Sequence, residues 1–300
     1  MKYFSLNHSS EYTFFYDAVK RGLAPDRGLY FPETIPKLPQ SFFENIQKMS
    51  IQEMAYRVIK PYLGNQILKD KLMEIVSETL DFDFPIIEIA DNIAALELFQ
   101  GPTLAFKDVG ARFMARSLGY LNQGSGEKIT VLVATSGDTG GAVANGFFGI
   151  NGVNVIILYP KGRVSEIQEK QLTTLGQNIT ALEIDGVFDD CQEMVKTAFL
   201  DSNLSSLNLT SANSINVARW LPQMFYYFIA YRALKSKNKR LVFSVPSGNF
   251  GNICAGIMGK KMGLPIDHFI ASTNLNDAFP RYLETGTYMP FPTKQTISNA

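Results

Sequence analysis

Between about residue 85 and residue 271 the chain repeats one pattern, a short apolar run followed by a stretch with helical spacing. The runs are "ITVLVA", "VNVIILY", "ITALEI", "LVFSVP" and "DHFIA", and segments such as "SEIQEKQLTTLG" and "DDCQEMVKTAFL" lie between them. Strands that are apolar almost without interruption are covered on both faces, and alternation with helices implies parallel neighbours. The expected fold class is therefore α/β, with parallel sheets covered by helices. In such sheets ligands bind beyond the carboxyl ends of the strands, so the loops that follow the strands are where chemistry is sought.

Two of these loops stand apart. "TSGDTGGAV", residues 135–143, follows "KITVLVA", and "PSGNFGN", residues 246–252, follows "RLVFSV". Each passes from a strand through a Ser-Gly-rich turn into a helix, directing backbone N–H groups and hydroxyls past the sheet edge as an anion site would. Each is equally readable as a tight turn into a helix. Neither contains G-x-x-x-x-G-K-[ST] or a full G-x-G-x-x-G, which argues against an ordinary nucleoside triphosphate or dinucleotide site.

A third stretch, "LAFKDVG" at residues 104–110, places a lysine at the head of a helical pattern. Phe106, Val109, Ala111 and Phe113 continue that pattern to about Tyr120, so Lys107 falls where the positive end of the helix dipole disfavours an ammonium. A partly buried amine there has a lowered pKa and can attack a carbonyl. The alternative is a lysine whose stem packs while its head reaches water. Spacing alone does not separate the two.

Residues 1 to about 80 read as a helical section with one short early strand. "SIQEMAYRVIKPYL" opens on a capping box, Ser50 to Glu53, with Ile51, Met54, Ala55 and Val58 on one face. "NQILKDKLMEIVSETL" repeats the spacing with Ile67, Leu68, Leu72 and Ile75. The expected division is a helical appendage over 1–80 and a two-lobed α/β region over 81–300, about what the usual domain size of ~100 to 200 residues suggests for this length.

Charge and composition narrow the function. Lys plus Arg equals Asp plus Glu at 28 each, so no overall field draws the chain to nucleic acid or an anionic membrane, and any anion must be held locally. The aromatics of "MFYYFIAYRAL" recur at helical spacing and read as core, as does Trp220, and that stretch is too short to span a bilayer. The opening residues carry no apolar signal region, and Cys191 and Cys254 lie far apart, so a reducing, cytoplasmic setting is expected. His8 and His268 have no partners at metal-ligand spacing, and no metal is expected.

"LAFKDVGARF", "TSGDTGGAV" and "PSGNFGN" together resemble the threonine synthases, pyridoxal-phosphate enzymes of the tryptophan-synthase-β-like fold (fold type II). "DRGLYFPETIP", "PKGRVSEIQEKQLTTLGQNI", "DGVFDDCQEMVK", "SINVARW" and "TISNA" are similar to that family as well, so the resemblance covers essentially the whole chain. In the related dehydratases of the same fold the lysine typically precedes Arg-Gly, whereas Lys107 precedes Asp108 and Val109, as in the synthases.

The resemblance implies a site. Lys107 would carry pyridoxal 5'-phosphate and, once released, move protons at Cα and Cβ of the substrate, with Phe106 beside the cofactor ring. Ser247, Gly248, Asn249, Phe250, Gly251 and Asn252 would hold the cofactor phosphate. Thr135, Ser136, Asp138 and Thr139 belong to the loop expected to grip the substrate carboxylate, Asp138 as a structural acceptor of N–H bonds. A second anion site, for the phosphate leaving the γ carbon, is expected among Lys161, Arg163, Ser165, Asn213, Ser214 and Asn216. The implied reaction takes O-phospho-L-homoserine and water to L-threonine and phosphate, in a monomer or homodimer. A serine or threonine dehydratase, or a catalytically silent phosphate-metabolite binder, are the competing readings. Family chains run well beyond "TISNA", and the further part is expected to complete the larger domain and to offer a hydroxyl to the pyridine nitrogen.

Overall fold

The structure is a computed structural model that describes residues 1–292, 294, 296 and 297. Of the stretch "TISNA", residues 298–300 lie outside the described residues. The N-terminal section runs β1 (Tyr3–Ser5), α1 (Phe15–Arg21), β2 (Tyr30–Pro32), α2 (Gln40–Asn45), α3 (Ile51–Leu63) and α4 (Lys69–Thr79). It contains two short strands where the sequence suggested one, paired antiparallel with Tyr3 opposite Pro32.

Helix α3 starts at Ser50, whose hydroxyl accepts the Glu53 N–H at 3.0 Å. Only that half of the capping box forms, because the Glu53 carboxylate takes the Arg57 guanidinium at 2.7 Å instead. Met54, Ala55 and Val58 are buried as the spacing predicts, while Ile51 is only partly so. Leu68, expected on the apolar face, is 70% exposed: it caps α4 in extended backbone, which turns its side chain off the helix. Nor is the section an appendage. Trp220 stacks on Phe31 at 5.6 Å, and the Val19 carbonyl accepts from both Thr210 and Asn216 at 2.9 Å, so one core joins it to the rest.

The remaining elements are β3 (Ile86–Ala90), β4 (Ile93–Leu96), α5 (Lys107–Leu121), β5 (Ile129–Ala134), α6 (Asp138–Phe147), β6 (Val153–Pro160), α7 (Glu166–Thr173), β7 (Ile179–Ile184), α8 (Phe188–Leu200), β8 (Leu209–Ser211), α9 (Val217–Trp220), α10 (Met224–Leu234), β9 (Leu241–Pro246), α11 (Gly251–Lys261), β10 (Ile266–Ser272) and α12 (Ala278–Thr285). Four strands form a wholly parallel sheet in the order β7-β6-β5-β8. Every residue of β5 is buried, which is why its sequence shows no alternation. From β5 the chain winds outward through β6 to β7, then returns by α8 to place β8 on the other side of β5. The winding reverses there, and such sheets take their ligands beyond the carboxyl ends of the strands at a reversal of this kind.

Strands β9 and β10 pair in parallel as a separate two-stranded sheet. Both faces were expected to be covered, but Val242 and Ile270 are 50% and 51% exposed. In β9 the side chains alternate: Phe243 packs on Tyr227 at 5.0 Å, while Val242 and Ser244 face outward. The antiparallel hairpin β3–β4 and the three-residue β8 are elements the periodicity did not reveal, being too short or too exposed to leave a pattern. Helix α10 is buried from Met224 through Ala230, in accord with its reading as core. Among the described residues no helix is long and apolar enough to cross a membrane.

Candidate active site

Lys107 is the first residue of α5, and its surroundings fix where the helix begins. The buried Asp108 carboxylate accepts the Thr103 N–H at 3.0 Å and its hydroxyl at 2.5 Å, closing the preceding turn. The Tyr226 hydroxyl donates to the Phe106 carbonyl from α10. These bonds direct Lys107 into a cleft of about 250 Å³ that is lined also by Ser214 and Arg219, after β8, and by residues at the ends of β9 and β10. Phe106 lines it beside the lysine, with residues 246–252 opposite.

The lysine is inside the protein, its side chain 13% exposed. Burial lowers the pKa of its amine; Asp138, whose Oδ2 lies 3.7 Å from Nζ, opposes that effect, and the Arg219 guanidinium adds to it. Of the two readings of Lys107, the geometry therefore matches the buried amine.

Arg219, on α9, is the functional candidate that sequence reasoning missed. It is 2% exposed, lines the cleft and donates to the Ala212 carbonyl, yet its Nε has no hydrogen-bond partner among the described residues. Burial brings its pKa down to about 10, with Tyr226 and Asp108 opposing. Gly110 makes room for it, since a Cβ there would stand 2.5 Å from the Arg219 carbonyl oxygen. Gln223 lies beside it: its Nε2 donates to the Arg219 carbonyl at 3.0 Å, and its buried Oε1 has no partner among the described residues. The available signal was a lone cation in the apolar run "VARWLPQMFYY".

In the loop after β9, the Ser247 N–H donates to the Ser272 carbonyl at 2.8 Å and its hydroxyl to the Val245 carbonyl at 2.9 Å. Phe250 then takes the left-handed region, φ 58°, and precedes α11 with no side-chain hydrogen bond capping that helix. The first-turn N–H groups of α11 are thus left to whatever enters the cleft. Tyr227 holds the helix in place by donating to the Asn252 carbonyl at 2.8 Å.

The loop after β5 is built differently. The Thr135 hydroxyl accepts the N–H groups of Gly137 and Gly140 at 3.0 and 2.8 Å, so it pins the loop from within. Asp138 opens α6, accepts from Gln168 Nε2 at 2.5 Å with one oxygen and faces Lys107 with the other. Ser136 and Thr139 are half-buried on the same turn.

The six residues expected around a second anion are not gathered. Only Ser214 lines the cleft. Asn213 donates to the Ala134 carbonyl at 3.2 Å and ties the ends of β5 and β8 together. Asn216 is fully buried and spends its side chain on the carbonyls of Val19 and Ser211 and the N–H of Ala218. Ser165 caps α7, and Lys161 and Arg163 are exposed on the turn after β6, away from the cleft lining.

Comparison with known proteins bears on this geometry. Residues 2–80 match the family described as threonine synthase N terminus, and residues 89–300 match the pyridoxal-phosphate dependent enzymes. Threonine synthase of Buchnera aphidicola subsp. Baizongia pistaciae is 48% identical over 303 residues, covering all of this chain and 70% of its own length. The crystal structure of threonine synthase from Escherichia coli superposes with a TM-score of 0.92 at 44% identity, over 100% of this chain and 70% of that one. The pyridoxal-phosphate-bound threonine synthase from Brucella melitensis gives 0.93 at 41% identity, over 99% and 65%. A buried lysine at a helix start, an uncapped helix facing it across a cleft and this likeness along the whole chain lead to one conclusion: the chain belongs to the threonine synthase family of pyridoxal-phosphate dependent enzymes.

Proposed function

We propose that the chain converts O-phospho-L-homoserine and water to L-threonine and phosphate, with Lys107 holding pyridoxal phosphate. The observation that carries this reading is the placement of two unlike cations in one cleft, an amine with its pKa lowered by burial and, behind it, a guanidinium whose Nε is orphaned. The residues fit a phosphate-bearing aldehyde. Lys107 offers the amine, Phe106 an apolar flank, and residues 247–252 an uncapped helix start for a phosphate dianion. Bound there, the cofactor supplies an electron sink for the charge that develops at the substrate's Cα.

The chain's own residues account for the rest. Conversion of the substrate removes protons at Cα and Cβ, expels phosphate from Cγ, protonates Cγ to a methyl group and adds water at Cβ before Cα is reprotonated. One base can give and take protons at neighbouring carbons, and an amine whose pKa is lowered by burial releases its proton more readily than an ordinary lysine does. The loop of Thr135, Ser136 and Thr139 receives the substrate carboxylate, with Thr135 shaping the loop. Arg219 with Ser214 replaces the dispersed set as the reading for the departing phosphate, because a charge-assisted bond in a closed site has roughly twice the strength of a neutral one. We read residues 1–80 as the N-terminal section and 81–300 as the catalytic region, and place the protein in the cytoplasm, in keeping with two free thiols. Its oligomeric state is read as monomer or homodimer.

The test is an assay of threonine and phosphate release from O-phospho-L-homoserine, run beside deamination of threonine and serine. Arg219→Met should raise KM for the phosphorylated substrate while leaving the absorbance of the bound cofactor in place. If unphosphorylated threonine proved the better substrate, the dehydratase reading would replace this one.

A further inference from the structure

A loop that receives a substrate carboxylate is an unfavourable place for another carboxylate, yet Asp138 occupies it. Its position is held from outside the loop. Gln168, in the first turn of α7, donates Nε2 to Asp138 Oδ1 at 2.5 Å. The other end of that amide is fixed by Ser165, whose hydroxyl donates to Gln168 Oε1 at 3.1 Å and accepts the Gln168 N–H at 3.4 Å as the cap of α7. Contact is close because residue 137 is glycine: a Cβ there would come within 2.4 Å of Gln168 Oε1. With one oxygen so held, the other points at Lys107 Nζ, 3.7 Å away.

We propose that Asp138 is the charge partner of the Lys107 amine during proton transfer, and that Gln168 is the positioning residue that keeps its carboxylate there. This rests on the reaction assigned above. When Nζ takes a proton from a substrate carbon, the electrons of the C–H bond stay on carbon and Lys107 becomes an ammonium. Asp138 stabilises that ammonium and keeps no proton itself; the proton leaves again from Nζ to the next carbon. The division of labour parallels that of a hydrolase triad, where a buried carboxylate orients and stabilises the protonated base. Lys107 thus stands between the carboxylate at the start of α6 and the Arg219 guanidinium from α9, which acts in the opposite sense. Asp108, on its own helix, is turned to Thr103, and the Tyr226 hydroxyl is engaged by the Phe106 carbonyl. Ser165, expected at a phosphate, enters the site only through Gln168.

The test reads Lys107 directly in the ligand-free chain. Acetylation of Lys107 by isotope-labelled acetic anhydride, followed across pH by mass spectrometry, gives the midpoint at which the amine loses its proton. Asp138→Asn should move that midpoint down by about one unit, since a stabilising charge is removed from the ammonium form. Gln168→Met, similar in length but without a donor, should move it the same way by less. In the loaded enzyme both should lower kcat, Asp138→Asn by about tenfold or more, with KM little changed. An unchanged or raised midpoint in Asp138→Asn would overturn the pairing. A shift in Asp138→Asn with none in Gln168→Met would overturn the role of Gln168. The expected shifts in a parent chain that forms no threonine would support the pairing and defeat the reaction assigned to it.

Discussion

Two loops of nearly the same composition follow β5 and β9, and they are organised in opposite ways. The first is closed on itself. Thr135 satisfies two of its N–H groups, Gly137 sits at φ 144° against Gln168, and the carboxylate it carries is aimed at Lys107. The second is left open: Phe250 makes the left-handed turn, no side chain among the described residues caps α11, and Gly248 and Asn249 are exposed. A Ser-Gly turn after a strand is thus not one device. When a side-chain oxygen consumes the backbone donors the loop becomes a mount that leaves its own side chains to meet a ligand, and when none does the helix start itself is left to receive an anion.

Thr135→Val should test this difference most severely. Two buried N–H groups lose their acceptor, each loss being worth about 1–3 kcal/mol, so chemical denaturation should register the largest destabilisation of this series. Gly137→Ala should follow. The backbone there disfavours any side chain by about 1–3 kcal/mol, and although the end of Gln168 can swing away, doing so frees Asp138, so the Lys107 midpoint should fall as well. A variant as stable as the parent would mean that the loop relaxes and is no rigid mount.

Lys107→Met should have a smaller effect, of opposite sign. Because the folded pKa of Lys107 is lowered, the unfolded chain binds more protons at pH values between the two pKa values, and folding there improves as pH rises. Burying the ammonium therefore destabilises the fold most below the lowered pKa and ceases to do so in the ordinary lysine range. The variant without ligand should melt at a higher temperature than the parent, by a margin that closes as pH rises; a margin independent of pH would remove the buried-amine account.

Gly251→Ala should change stability least, within about 1 kcal/mol, since the nearest atoms to a Cβ are 3.8 and 3.9 Å away and alanine suits a helix. Its effect should appear in a pyridoxal-phosphate titration as weaker binding. Equal affinity would leave the loop after β9 a turn and nothing more.

Much of this was legible beforehand. Strand β5 begins and ends where "ITVLVA" does, since a fully buried strand announces itself by unbroken apolar residues, and α5 starts at the lysine the helical spacing had placed there. The N-cap of α3 was readable because its partners are three residues apart. The hairpin β3–β4 was not, for its exposed residues carry no core-facing period. Leu68 misled because periodicity cannot tell the last residue before a helix from the first within it.

What the sequence determined by itself was local or nearly so: the alternation that makes a parallel sheet, the two Ser-Gly turns and the lysine at a helix start. Family membership was also written there, in long motifs kept in order. The tertiary structure decided which charges meet. Arg219 and Lys107 are brought together by α9 packing on α5 at Gly110, Asp138 is turned on the lysine by Gln168 thirty residues further along, and Lys161 and Arg163 are left in solvent. A cation's place in the chain records neither its burial nor its partner, because both are set by elements distant in sequence, and electrostatic interactions depend on distance and dielectric rather than on order.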